Sequence, residues 1–125
     1  MEVTDGIRVE VVCEYLEAQS NTAAGSYVFG YTITIYNGSE APVQLLNRHW
    51  HILHGDGKHE EVRGPGVVGE QPKLAPKERF KYSSGCVLTT PHGSMHGTYE
   101  MVRPDATRFE IKIPAFTLSA PYALN

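Results

Sequence analysis

Apolar side chains recur at every second position along most of this chain. Ile7, Val9, Val11, Cys13 and Tyr15 alternate with Arg8, Glu10, Val12 and Glu14, and Tyr27, Phe29, Tyr31, Ile33 and Ile35 alternate with small or polar neighbours. Successive residues of a strand point to opposite faces, so a period of two describes strands with one buried face. Val43 to Leu53 is apolar on both faces, with Leu46, Trp50 and Ile52 on one and Val43, Leu45 and Leu53 on the other. A strand covered on both sides, or a bulge near Leu45 and Leu46, accounts for that pattern. His59 to Arg63 is short and charged, which suits an edge strand because charge discourages edge-to-edge pairing. Alternation returns over Arg79 to Ser83, over Met95, Gly97, Tyr99 and Met101, and over Phe109, Ile111 and Ile113. Pro114 interrupts the last of these, and Phe116 and Leu118 resume in the opposite phase, as a bulge requires.

Turn chemistry separates the segments. Gln19 to Gly25 is a loop of small and polar residues, Asn37-Gly38-Ser39 is a tight turn closed by Pro42, Gly55-Asp56-Gly57 is another turn, and Pro104 to Thr107 makes a hairpin. Gly64 to Lys77, with three Gly and three Pro residues, is expected to be a long loop without regular structure, and Ser84 to Gly93 to be turn-like. No segment carries the 3.6-residue period of a helix longer than about two turns. Seven strands joined by turns predict an all-β chain, an antiparallel two-sheet sandwich of immunoglobulin-like form. Trp50 then occupies the third strand, where such sandwiches bury an aromatic plug. In the simplest seven-strand topology the second strand lies between the first and the fifth. Cys13 and Cys86 then sit on strands that do not pair, and a bridge needs Cα atoms within about 7 Å, so both are expected to be free thiols.

The 125 residues form one expected domain, 1–125, with an ordered core over about 5–118 and a C-terminal tail over 119–125. A domain of this size buries roughly two thirds of its unfolded surface and needs neither disulfide nor structural metal. The formal net charge of -3 and the absence of any Lys/Arg-rich run argue against nucleic acid or an anionic membrane as the main partner. Met1 to Asp5 has neither the basic nor the apolar region of a signal peptide, and no apolar run approaches the ~18 residues of a spanning helix. A cytoplasmic location is the expectation.

Candidate chemistry is sparse. Gly64-Pro65-Gly66-Val67-Val68-Gly69 matches the GxGxxG pattern, but Pro72 and Pro76 follow too soon for the helix that would hold a pyrophosphate, and no βαβ unit surrounds it. What the pattern retains is a Gly/Pro-shaped loop, with some capacity for loose anion binding by its amides. His49 and His51 share a strand face and are weak candidates for a metal pair, since a site needs a third or fourth ligand; His54 lies on the opposite face. No GxSxG elbow is present, and no histidine can be placed beside Cys86. Arg48, among apolar neighbours, needs a carboxylate or carbonyl partner; Glu61, Glu70 and Glu100 are candidates for a structural ion pair.

Several segments together resemble the bacterial ApaG family. They are Tyr27 to Ile35, Val43 to Trp50, Val62 to Pro72, Tyr82 to Cys86, Gly93 to Tyr99 and Phe109 to Leu118, which cover nearly the whole chain in order and spacing. The resemblance implies a fibronectin type III-like sandwich and a bacterial cytoplasmic protein encoded near diadenosine tetraphosphate hydrolase. It also implies a suggested link to cobalt tolerance and magnesium efflux. Related eukaryotic domains look like protein-interaction modules, and no enzymatic activity is established for the family as a class; an activity linked to diadenosine polyphosphate metabolism is the enzymatic alternative. His51 and His54 stand where that family is commonly apolar or acidic, and Lys77 where it usually has Gly.

The combined expectation is a non-catalytic binding module without a cofactor. Arg63, Gly64, Pro65, Gly66, Val67, Val68, Gly69 and Glu70 form its expected recognition surface, and Arg48 and Trp50 its structural supports. The expected partner is an unidentified protein, with a homodimer allowed, and neither nucleic acid nor membrane. The alternative is a small-ligand sensor that binds a nucleotide polyphosphate or a divalent cation near the Gly-rich segment. The two valines at the loop tip pose a choice: a hydrophobic anchor offered to a partner, or a plug folded back into the open end of the sandwich.

Overall fold

The computed structural model describes residues 1–121. Nine strands follow in chain order: β1 (Glu2–Thr4), β2 (Ile7–Tyr15), β3 (Tyr27–Asn37), β4 (Val43–His54), β5 (His59–Pro65), β6 (Lys73–Leu74), β7 (Arg79–Leu88), β8 (His92–Val102) and β9 (Arg108–Ser119). One sheet has the order β1-β2-β3-β7; the other has β5-β4-β8-β9, with β6 also paired to β4. Every pairing is antiparallel. The alternation therefore reads out as the expected sandwich, and two short strands, β1 and β6, are added to the seven. β5 lies at an edge.

The inner faces meet in a core to which both sheets contribute. Phe29, Ile33 and Ile35 on β3 and Ile7 and Val9 on β2 face Leu45, Met95, Tyr99, Met101 and Ile111 of the other sheet, all close to fully buried. Trp50 is buried as expected and packs edge-on against Tyr99 and Phe116. Edge-to-face rings of this kind add about 0.5–1.5 kcal/mol beyond their burial. Across the core the hydroxyls of Tyr82 (β7) and Tyr99 (β8) form a hydrogen bond, a direct polar link between the sheets. Burial raises both phenols well above their ordinary value, so both stay protonated. Cys13 and Cys86 are free and stand on β2 and β7, with β3 between them.

Three expectations are corrected. Ser84 to Gly93 is mostly strand: β7 runs on to Leu88 because Phe29 pairs with Cys86 and Tyr27 with Leu88, and those two side chains still alternate inward. Gly85 masked that continuity in the sequence. Gly64 to Lys77 is not one loop, since β5 extends to Pro65 and β6 begins at Lys73. The packed chain also passes 5–118 at both ends. β1 zips onto β2, and Ala120 is fully buried with its amide donating to the Pro91 carbonyl at 2.8 Å. Residues 122–125 of the expected tail lie outside the described residues. Lys77 has φ +72° in a turn closed by the Glu78 amide on the Ala75 carbonyl at 3.0 Å. A Pro-Xaa turn with positive φ at its third residue is type II, which favours Gly there.

The inter-sheet phenol pair makes a quantitative expectation. Tyr99→Phe strands the buried Tyr82 hydroxyl and should cost about 1–3 kcal/mol in urea unfolding. Tyr82→Phe with Tyr99→Phe removes both polar groups and should cost clearly less than the sum of the single changes. Additive costs would show that the two hydroxyls are not coupled.

Candidate binding face built on the β4 bulge

Leu46 is the extra residue of a β-bulge. On β8, Met101 pairs with Leu45 and Glu100 with Asn47, so Leu46 has no partner. The bulge shifts the phase of β4 by one. Val43 and Leu45 before it, and Trp50 and His54 after it, therefore all point inward, while His49 and His51 point outward. The double-faced apolar pattern of this segment is explained by that shift.

The bulge also organises the Gly-rich segment. The Leu46 carbonyl accepts from the Gly66 amide at 2.8 Å and from Gln71 Nε2 at 2.9 Å, and the Leu45 amide donates to the Pro72 carbonyl at 3.0 Å. Arg48, half-buried, donates through Nη1 to the Pro65 and Gly66 carbonyls at 2.8 and 2.9 Å. The Arg48 guanidinium is thus held by carbonyls, one of the two partner types its position allows, and not by an ion pair with Glu61, Glu70 or Glu100. Val67 and Glu70 exchange both backbone hydrogen bonds, at 2.8 and 2.9 Å, around Val68 and Gly69, whose φ values are +44° and +81°. Two positive φ values in a two-residue loop define a type I′ turn. Gly66 has φ +63°, and a Cβ there would lie 2.3 Å from the Glu70 carbonyl oxygen. Gly66 and Gly69 of the GxGxxG pattern therefore serve a tight turn, while Gly64 lies on β5 against the Arg48 guanidinium. The Gly66, Val67 and Glu70 amides already donate within the chain, so they do not converge outward as a phosphate cradle needs.

The two valines divide. Val67 is buried at 1% exposure and belongs to the core, a correction to its place on the recognition surface; Val68 is 55% exposed at the tip. Their backbone turn sends consecutive side chains to opposite sides. A cleft of about 320 Å³ runs between the sheets under this turn, lined in part by Tyr31, Arg48, Val67, Val68 and Cys86. Burial pushes the Cys86 thiol up to about 11, the opposite of what an activated nucleophile requires. On the outer side of Arg48 a groove of about 390 Å³ is bounded by Arg63, Gly64 and Pro65 of β5 and by Glu100 and Glu110 of β8 and β9.

Beside the groove, the outer faces of three strands bring four histidines together. His51 pairs across β4 with Glu61 on β5 and with His96 on β8, while His59 lies opposite Leu53. His49 Nε2 is 2.9 Å from Glu61 Oε1, His51 Nδ1 is 3.7 Å from the same oxygen, and His51 Nδ1 is 3.1 Å from His59 Nε2. His51 stacks between His59 and His96, at 5.3 and 4.7 Å between ring centroids. Partial burial, and then the neighbouring imidazoles of His49 and His96, hold His51 below its ordinary value; hydrogen bonding from His49 holds Glu61 below its own. His54 points the other way, buried, with Nε2 2.5 Å from Glu60 Oε1 and Nδ1 accepting the Thr89 amide at 3.1 Å. The sequence pairs His49 with His51 but leaves Glu61, His59 and His96 unplaced. The signal that locates Glu61 and His59 is the Gly55-Asp56-Gly57 turn, because counting outward from Asp56 sets His51 opposite Glu61.

Comparison with known proteins agrees on one relationship. The family model described as the ApaG domain matches residues 17–103. Protein ApaG of Aromatoleum aromaticum is 51% identical over 119 residues, covering 95% of this chain and 94% of that protein. Protein ApaG of Azoarcus sp. is 53% identical over the same length and the same shares. A crystal structure of the ApaA protein from Bordetella pertussis superposes with a TM-score of 0.89 at 46% identity, covering 92% of this chain and 94% of that one.

Two outcomes are expected. Gly66→Ala should destabilise the fold by about 2 kcal/mol or more, and Val67→Ser by a similar amount, read as a lower Tm. A Tm unchanged in both would show that the turn is not part of the packed structure. In an NMR titration, His51 should have a midpoint below about 6.5. His96→Gln should move that midpoint part of the way back up, because a neighbouring imidazole is removed while the partial burial remains. Since the depressed value means the unfolded chain takes up protons first, this histidine favours the fold above about pH 6.5 and opposes it as pH falls.

Proposed function

This chain belongs to the ApaG family, and we propose that it acts as a non-catalytic, cytoplasmic binding module that captures a protein partner through the Gly64–Glu70 turn and the groove beside it. The observation that carries this reading is Val68. A β-branched residue at positive φ is a steric outlier that costs about 1–3 kcal/mol, and such strain gathers at functional sites. A type I′ turn favours Asn at that position, yet here a branched apolar side chain is held out into solvent. The turn below it is ordered by Arg48 and by the Leu46 carbonyl, so little entropy is lost when a partner binds. In the groove that starts at Gly64 and Pro65, before this anchor, Arg63 stands on one side and Glu100 and Glu110 on the other. An apolar contact rimmed by charge of both signs suits a protein surface better than a polyanionic nucleotide. Any part in cobalt tolerance or magnesium efflux is exerted, on this reading, through the captured partner.

Val68→Asn tests it directly. Relief of the strained φ should hold or raise the Tm, while capture of a partner from native bacterial cytoplasm, or of a second copy of the chain, should fall. Undiminished capture by the variant would reject the turn as the recognition element.

A further inference from the structure

We infer that the outer face of β4 and β5 carries a site for one divalent transition-metal ion, with His49, His51 and Glu61 as ligands and His59 as the fourth. The ligand atoms of the first three lie within 4.8 Å of one another. A tetrahedral ion with bonds near 2.0–2.1 Å places its ligands about 3.3 Å apart along each edge. Three of the six edges bracket that value: 2.9 Å for His49 Nε2 to Glu61 Oε1, 3.7 Å for His51 Nδ1 to Glu61 Oε1, and 3.1 Å for His51 Nδ1 to His59 Nε2. His59 is exposed and already in contact with His51, so its side chain is free to turn toward the set.

The arrangement rests on strand register. His49 and His51 are two apart on one face of β4, Glu61 is the cross-strand partner of His51, and His59 is its diagonal neighbour. His96 stacks on His51 from the other side and fixes the plane of its ring. Two contacts compete for one of the ligand nitrogens. His49 Nε2 faces both the Glu61 carboxylate at 2.9 Å and the Arg63 Nε–H at 3.3 Å. One ring nitrogen cannot donate to the first and accept from the second at the same time. A cation that takes the nitrogen lone pair and the carboxylate replaces both contacts, and the Arg63 guanidinium gives way to it. Imidazole with one carboxylate suits zinc, nickel, cobalt or copper, whereas magnesium and calcium prefer oxygen ligands throughout. This site does not depend on the Gly64–Glu70 turn capturing a partner.

The test is isothermal titration of chelator-treated protein with Zn²⁺ and with Ni²⁺, using Mg²⁺ as the hard-cation comparison. One transition ion should bind per chain and raise the Tm, and Mg²⁺ at equal concentration should do neither. His51→Gln and Glu61→Gln should each weaken Zn²⁺ binding about tenfold or more. His92→Gln, an exposed histidine outside the cluster, should leave it unchanged. Arg63→Gln should tighten it, because a competing cation leaves the His49 and Glu61 ligand atoms. These side chains lie on the solvent face, so circular dichroism of each variant should match the parent. Absence of Zn²⁺ binding in the parent, or binding that survives His49→Gln with His51→Gln, would overturn the assignment.

Discussion

The rest of the molecule depends on the one-residue bulge at Leu46. A strand has a side-chain period of two, so one inserted residue reverses every position beyond it. Before the bulge, β4 buries Val43 and Leu45; after it, β4 buries Trp50 and His54 and turns His49 and His51 to solvent. Without the shift, Trp50 would leave the core and the histidines would enter it. The bulge also frees the Leu46 carbonyl from the ladder, and that carbonyl receives the Gly66 amide and the Gln71 side chain. A single irregularity thus sets the core, the outer face and the seat of the Gly-rich turn.

Arg48 links these parts. It sits on the inward side of β4 just after the bulge, half-buried, and lines both the cleft between the sheets and the groove outside. A guanidinium in such a place must be hydrogen-bonded, and its two carbonyl acceptors belong to Pro65 and Gly66. The charge is therefore used to hold backbone, and the turn it holds is stiff enough to keep Val68 in an unfavourable conformation. The pull of a fixed, satisfied support on a strained tip distinguishes this segment from an ordinary surface loop.

The outer face follows a different logic. β5 is an edge strand, and edge strands commonly carry charge to discourage further pairing. Glu60, Glu61 and Arg63 serve that end, but Glu61 and His59 also fall beside the histidines of β4. Sheet register alone brings His49, His51, Glu61 and His59 together from two strands, with His96 of a third stacked on His51. Because they extend from paired strands rather than from a loop, their spacing is set by the ladder.

The sequence by itself determined the seven longer strands, their alternation, the edge position of His59 to Arg63, the bulge at Pro114, and the isolation of Cys13 from Cys86; it offered a bulge near Leu45 and Leu46 as one of two readings. These follow from local chemistry: a period of two, a change of phase, a proline, a run of charge. It could not tell that β7 continues through Gly85 to Leu88, because a glycine has no side chain to report a face. Nor could it divide Val67 from Val68, since burial was decided by a turn whose two positive φ values are stabilised by contacts to β4, 17 to 20 residues away in sequence. The Arg48 acceptors were hidden for the same reason, being backbone carbonyls that carry no residue identity. The histidine cluster stood between these cases. His49 and His51 were visible as a pair, but Glu61, His59 and His96 joined them only through cross-strand register, and register is a property of two strands together that neither encodes alone.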